Sequence, residues 1–376
     1  MTKTLNVGLI GCGNISTSYL GRAPNFKGIR FTAVADVNPA AAEARAAEYG
    51  VQALSVEALL ADPTIDIVVN LTIPAAHYAV SKSVLLAGKH VYSEKPYVLT
   101  LEEGRDLAAL ATAGGLRIGS APDTILGASH QLARHVIDSG AVGRITSGTC
   151  FVMSHGMEDW HPNPDFFFLP GGGPILDLGP YYIANLVQLL GPIARVGALT
   201  ATPSATRTIG NGARLGETVP VKTPTTIHAL LEFASGAVIT LVASWDVWQH
   251  DLANMALYGS EGTIHVPDPN FFDGPVRITR KADPVDLPAW DHPLGPKNRH
   301  EPWGSVADYR TAGLADMALA ITENRPHRCN DAFALHVVEA MTGILRAGET
   351  GGFVAMTTTC TRPEALGPEA ARALMA

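Results

Sequence analysis

Six residues, Gly11-Cys12-Gly13-Asn14-Ile15-Ser16, follow directly on the apolar run LNVGLI (Leu5 to Ile10), and Asp36 follows a second such run, FTAVA. Residues of these types in this order can hold a dinucleotide. Gly11 permits a tight turn. Gly13 removes the Cβ that would keep the backbone from a pyrophosphate, and the helix after it turns its N–H groups and positive dipole end toward the phosphates. Ser16 replaces the third glycine of the pattern and is small enough for close helix–strand packing. A carboxylate at Asp36 accepts hydrogen bonds from both ribose hydroxyls and repels a 2′-phosphate, which points to NAD and disfavours NADP.

Further along, Glu94-Lys95-Pro96 follows another short apolar run. A lysine at a strand end beside a nicotinamide can hold or relay a proton. Burial and the positive ring are expected to lower its pKa toward the working range. The stretch GGGPILDLGPYY, Gly171 to Tyr182, spaces Asp177 and Tyr181 four residues apart. On a helix they share a face, where a carboxylate and a phenol can bind and orient a sugar hydroxyl. Just upstream, HGMEDWHPNPDFFFLP (His155 to Pro170) contains Trp160 and His161, aromatic faces with polar tips that suit a carbohydrate. Taken singly, each feature also fits an ordinary role: a surface lysine paired with Glu94, a capped helix after a glycine loop, phenylalanines anchoring a loop. His155, His161 and His250 lack metal-ligand spacing, so no metal is expected.

Elements of two kinds must position these groups. Over the first 120 residues strands and helices alternate: Asn38-Pro39 opens a helix that Gly50 ends, DIVVNL (66–71) reads as a buried strand, 74–87 as a helix, and Thr100-Leu-Glu-Glu as a capping box. Such alternation predicts a doubly wound parallel sheet with ligands at the carboxyl ends of its strands, where Gly11, Asp36, Thr72 and Glu94 all stand. Beyond 122 the pattern becomes longer strands (144–154, 193–202, 225–234, 237–245, 253–258, 262–266), with hairpin turns at Ser235-Gly236 and Ser260-Glu261-Gly262. The fold class is therefore α/β, a parallel domain (1–122) plus an α+β domain (123–376) with a large open, mostly antiparallel sheet. Helices are expected near 124–138, 306–323 and 331–346, and loops over 203–224 and 283–303.

The chain has 376 residues, 47% of them apolar and 16% charged, enough for two domains with a sizeable core. The net charge of −8, without a basic block, argues against nucleic acid or an anionic membrane as partner. Four scattered cysteines make no CxxC pair, and no apolar run approaches a membrane span. With the first strand starting by residue 5, no signal peptide is expected and the protein reads as cytoplasmic.

With these residues in place, the chain resembles the Gfo/Idh/MocA family (glucose–fructose oxidoreductase, inositol dehydrogenase, rhizopine catabolism). The resemblance is carried by GLIGCGNIS (8–16), Asp36, the Thr72-Ile73-Pro74 turn with His77, Glu94-Lys95-Pro96 and GGGPILDLG (171–179). It implies an N-terminal Rossmann domain and a C-terminal domain whose open sheet forms oligomers, a homodimer or homotetramer. It also implies oxidation of a sugar or cyclitol hydroxyl, or reduction of the ketone, and the chain is read as oxidising a hydroxyl of a monosaccharide, anhydrosugar or cyclitol. Cofactor contacts carry over to Gly11, Gly13, Asn14, Ile15, Asp36, Thr72, Pro74, His77, Glu94 and Lys95. Catalytic roles carry over to Lys95 and Asp177. Many members have a histidine where this chain has Tyr181, so Tyr181 joins Lys95 as a candidate for proton transfer, with Lys95 as its only evident helper. Ala121-Pro122-Asp123-Thr124 together with Gly-Pro-Tyr-Tyr resembles a sugar-active branch and adds Asp123 to the substrate contacts. Two alternatives stand beside this reading. An NADPH-dependent keto-sugar reductase conflicts with Asp36, and a non-catalytic dinucleotide sensor or scaffold conflicts with intact Lys95 and Asp177.

Overall fold

The structure, a computed structural model, describes residues 3–280, 283–302 and 304–376. Six strands, β1 (Leu5–Ile10), β2 (Ile29–Ala35), β3 (Gln52–Ala53), β4 (Ile67–Asn70), β5 (His90–Ser93) and β6 (Ile118–Ser120), lie parallel in the order β3-β2-β1-β4-β5-β6. Helices α1 (Ser16–Arg22), α2 (Pro39–Tyr49), α3 (Val56–Ala61), α4 (Pro74–Leu86) and α5 (Leu101–Gly114) connect them. The central strands are buried along their length because both faces of the sheet are covered, which is why they read as continuous apolar runs. The strand order reverses between β1 and β4. The loops after these two strands, with Gly11 and Thr72, flank the crevice where such sheets bind ligands. Local signals explain the boundaries. Asn38 accepts a hydrogen bond from Ala40 N, Gly50 is left-handed, and Thr100 and Glu103 close a capping box.

The chain continues as α6 (Ala128–Asp138), β7 (Ile145–Met153), α7 (Asp165–Phe168), α8 (Pro174–Asp177), α9 (Gly179–Leu190), β8 (Ile193–Ala201), β9 (Thr206–Thr208) and β10 (Thr218–Pro220). Next come β11 (Thr226–Phe233), β12 (Val238–Ser244), β13 (Met255–Gly259), β14 (Thr263–Val266), β15 (Arg277–Arg280), β16 (Asp283–Val285), β17 (Arg299–Glu301) and β18 (Gly304–Val306). The chain ends with α10 (Ala312–Glu323), α11 (Asp331–Thr350), β19 (Val354–Ala355) and α12 (Pro368–Leu374). Nine strands form one sheet, β16-β15-β14-β13-β7-β12-β11-β8-β19, antiparallel except for β7 beside β12. All twelve residues of α9 are buried, so this apolar helix runs through the core beneath the sheet, with α11 and α6 against it. Along β11 the inward residues Ile227, Ala229, Leu231 and Phe233 alternate with outward His228 and Leu230. The outer face is open and partly apolar: Leu199 is 74% exposed and Phe353 59%.

Three expectations need correction. The stretches 203–224 and 283–303, expected as loops, carry the short strands β9, β10, β16 and β17; residue 303 lies outside the described residues. The helix expected from 306 begins at Ala312. Asp308 is held by Arg299 and Arg310, and Thr311 takes a left-handed φ of +113°, so the preceding turn cannot be helical. Finally, α10 and α12 lie beyond residue 122 yet return toward the parallel sheet: α10 packs on β2 and β6, and Leu374 O accepts from Lys27 N. We propose the domain division at 122/123 with this return of the chain. Among the described residues no helix is long and apolar enough to cross a membrane.

Candidate active site

At the carboxyl end of β1, Gly11 has φ +104°, and a Cβ there would sit 2.6 Å from the Leu71 carbonyl. Only glycine fits this crossing of β1 and β4. A Cβ on Gly13 would meet no protein atom within 4 Å, so the space over this turn can accept a phosphate group, with Asn14 and Ile15 leading into α1. Ser16, in place of the third glycine, is buried and donates to Gly13 O at 2.6 Å, which absorbs its hydroxyl. Asp36 follows β2, and its carboxylate accepts from Cys12 N (2.7 Å) and Asn38 N (2.8 Å), which fixes its orientation. The groove beside it is also lined by Glu43, Leu54, Ser55 and Glu57, and among the described residues no lysine or arginine lines it. The turn, the open space over Gly13 and this acidic groove fit an NAD with free ribose hydroxyls and oppose a 2′-phosphate.

The loop after β4 is tied by Asn70, a buried polar residue that the sequence reading passed over. Its Oδ1 accepts from Thr72 N and Oγ1, and its Nδ2 donates to His77 O and Ser81 Oγ. Pro74 starts α4. His77 is fully buried, with its ring nitrogens 2.7 Å from Pro96 O and 2.9 Å from Thr72 O. It is a strut between two cleft loops, and its side chain has no open edge to touch a cofactor, contrary to expectation. Glu94 is likewise committed: it accepts from Tyr19 Oη (2.9 Å) and Lys95 N (2.8 Å).

Lys95 is the centre of the cleft. Its Nζ donates to Asp177 Oδ1 (2.9 Å) and Asp177 O (2.8 Å) and lies 5.3 Å from the centre of the Tyr181 ring. Asp177 and Tyr181 do not share one continuous helix as the spacing suggested. Pro180 has no N–H to continue α8, so the helix stops at Asp177 and restarts as α9 with proline in its first turn. Tyr181 N therefore bonds to Leu178 O, and the freed Asp177 carbonyl takes Lys95 instead. Burial alone would push the Lys95 pKa down, but the Asp177 carboxylate, Tyr181 and Glu94 outweigh it and hold it above the ordinary lysine value. The lowering expected from burial is thus outweighed by these protein groups, and Lys95 is an ammonium ion at neutral pH.

The three glycines before α8 have a steric reason. Gly173 has φ +95°, and a Cβ on Gly172 would lie 2.4 Å from Phe167 O. The cleft is lined by Lys95, Asp177, Pro74, Gly172, Phe166 and Phe167, the two rings 4.0 Å apart. His161 stands edge-on to both rings, and the exposed Trp160 edge-on to His161, one ring further out. Asp123 is elsewhere than expected. It is 1% exposed, and its Oδ2 accepts from Thr311 N and Gly313 N at 3.0 Å each, at the start of α10. Burial, opposed by these two bonds, pushes its pKa up to about 6. A substrate cannot reach it without opening that turn. Arg310 was missed: it bonds to Asp308 and Asn270 and lies within electrostatic reach of Tyr181, Asp123 and Glu94. Tyr181 thus has two cations near it, Lys95 and Arg310.

Residues 5–121 match the family model described as an oxidoreductase family with NAD-binding Rossmann fold, and residues 130–265 match the GFO/IDH/MocA C-terminal domain, together more than half of the chain. The chain belongs to the Gfo/Idh/MocA oxidoreductase family. Its N-terminal part is that family's NAD-binding Rossmann domain. A D-xylose dehydrogenase of Paenarthrobacter nicotinovorans is 30% identical over 156 residues, 40% of each chain, so the match spans well under half of that relative. A levoglucosan dehydrogenase of Pseudarthrobacter phenanthrenivorans is 25% identical over 70% of this chain and 73% of its own. The solved structure of a levoglucosan dehydrogenase in complex with NADH superposes with a TM-score of 0.78 at 22% identity, covering 95% of this chain and 100% of that one. At that identity it shows the shared fold alone.

Proposed function

We propose that this family member is an NAD-dependent dehydrogenase that oxidises a hydroxyl of a monosaccharide, anhydrosugar or cyclitol. The observation that carries this reading is the meeting of Lys95 and Asp177 with the aromatic wall of Phe166 and Phe167 in one cleft, beside the loops of the dinucleotide domain, with the Tyr181 ring 5.3 Å from Lys95 Nζ. The aromatic faces suit the C–H face of a sugar. Asp177 orients a hydroxyl. The free-amine form of Lys95, a minor species at neutral pH, takes the proton from the substrate oxygen, directly or through the Tyr181 hydroxyl. A bound NAD would supply the hydride acceptor. The names of the D-xylose and levoglucosan relatives support the substrate class. We place oligomerisation, as a homodimer or homotetramer, on the open sheet face with Leu199, Leu230 and Phe353.

A second reading, reduction of the corresponding keto-sugar, gains from one observation: the Asp177 carboxylate lies 2.9 Å from Lys95 Nζ and favours the protonated amine, the form that donates. The test of both is a nicotinamide-fluorescence screen of the purified protein with D-xylose, levoglucosan and myo-inositol, with NAD and NADP in parallel, and with keto-sugars plus NADH. Turnover on none of them would favour a dinucleotide-binding sensor.

The acidic groove predicts the cofactor result. NAD is expected to exceed NADP in kcat/KM, and Asp36→Ala to weaken NAD and narrow the gap. A wild-type preference for NADP would refute this role of Asp36. Tyr181→Phe is expected to lower kcat about tenfold, less than loss of a full acid–base group. It should leave the pH optimum in place, because Lys95 sets it. A fully active Tyr181→Phe enzyme would make the tyrosine a packing residue.

A further inference from the structure

The excursion between β8 and β11, residues 202–225, holds the wall of the cleft through separate attachments. Gly210 N donates to Glu158 O at 2.9 Å, Lys222 N to Phe168 O at 2.7 Å, and Thr223 Oγ1 to Gly172 O at 3.3 Å. Arg214 forks onto Asp165 at 2.5 and 3.1 Å, at the first residue of the short helix that carries Phe166 and Phe167. Ile209, Val219 and Val221 share a separate apolar cluster with Met157, Phe167, Phe168 and Trp245. At the centre lies Arg207, buried between two carboxylates. Its Nη1 bonds to Glu158 Oε1 at 3.1 Å, its Nη2 to Asp246 Oδ1, and its guanidinium lies 5.6 Å from the centre of the Phe168 ring. Asp246 is held in turn by Thr226 Oγ1 at 2.6 Å.

We infer that this excursion is a specificity element and that Arg207 is a positioning residue: by joining Glu158 to Asp246 it sets where Phe166, Phe167 and the Gly171–Gly173 loop stand against the substrate. The inference rests on the cleft at Lys95 being the sugar site. Its physical basis is charge. Glu158 is buried, and its Oε2 has no hydrogen-bond partner among the described residues. Without Arg207, the basic side chain that stays near it among the described residues is His155, with Nδ1 3.8 Å away. A buried carboxylate stripped of its arginine is driven toward water, and it would take the 157–173 segment with it. Nothing in these attachments touches the dinucleotide loops, so the effect should be confined to the sugar.

The test uses Arg207→Met, which keeps the stem against Phe168 and removes the charge, and Arg207→Lys, which keeps the charge without the fork. The probe is D-xylose or levoglucosan, whichever the wild type turns over. Arg207→Met is expected to raise the sugar KM about tenfold or more with kcat changed less than about threefold, the signature of lost binding rather than lost chemistry. NADH affinity, by fluorescence titration, should be unchanged, and Arg207→Lys should recover part of the KM. Hydrogen exchange of peptides covering 157–173 should speed up while those covering β1 and β4 do not. An unchanged KM, or a parallel fall in NADH affinity, overturns the inference. If Arg207→Met does not fold, Arg214→Ala at the exposed rim decides: the same selective rise in KM and exchange supports the inference, and wild-type behaviour overturns it. If the wild type oxidises neither sugar, the functional reading fails, and the exchange measurement alone then decides whether the excursion holds the wall.

Discussion

Replacing Lys95 by methionine is expected to lower kcat by about 10²-fold or more, the usual size of a lost acid–base group, while NAD binding measured by calorimetry changes little. The separation of the two effects follows from the geometry. Lys95 Nζ is bound to the Asp177 carboxylate and carbonyl and lies over the Tyr181 ring. The attachments that shape the dinucleotide loops use other groups: Asp36 on Cys12 N, Asn70 on Thr72, and His77 between Thr72 and Pro96. Methionine preserves the length of the stem, so the loop after β5 should keep its shape through Glu94, which is held by Tyr19. A Lys95→Met enzyme with near-normal kcat would reduce Lys95 to a lysine that caps the end of α8. A loss of NAD affinity equal to the loss of kcat would mean that the variant had disturbed the cofactor loops instead.

What could be read from the sequence was local. LNVGLI followed by a glycine turn, Asn38-Pro39 and Thr100-Leu-Glu-Glu each specify their own backbone within a few residues, and each lies where it was expected. The pieces that escaped depend on long-range placement. Arg310, Tyr19 and Asn70 belong to no motif, and they meet the site only because loops distant in sequence fold against it. The β9–β10 pair is three residues on each strand, too short to show a period of two. Asp177 and Tyr181 are a different case. The helix break is written in Gly179-Pro180, because a proline without an N–H outweighs a four-residue spacing. The direction of the Lys95 pKa could not be read at all, because burial and a facing carboxylate act in opposite senses and only the fold says how close the carboxylate stands.

That last point makes Asp177→Asn the most informative second variant. In the wild type the raised pKa keeps Lys95 protonated through neutral pH, so the basic form needed for oxidation is a minor species. Its population grows about tenfold per pH unit below the pKa. The wild-type kcat/KM for the sugar should therefore climb with pH well into the alkaline range. Asparagine keeps an acceptor oxygen for Lys95 Nζ and the helix end but removes the charge that holds the proton. Burial, the largest single influence on Lys95, then acts with less opposition, and the break in the profile should move down by a pH unit or more, each unit corresponding to about 1.4 kcal/mol. For ketone reduction with NADH, which needs the ammonium form, the falling limb should move in the same direction. Two consequences follow at fixed pH. Near neutrality the gain in free base offsets part of the loss from a poorly oriented substrate hydroxyl, so oxidation falls only modestly. At alkaline pH, where the wild-type lysine is also becoming deprotonated, the orientation loss stands alone and the variant is expected to be about tenfold or more below wild type. Profiles whose breaks coincide in the two proteins would mean that Asp177 orients the substrate without governing the proton on Lys95.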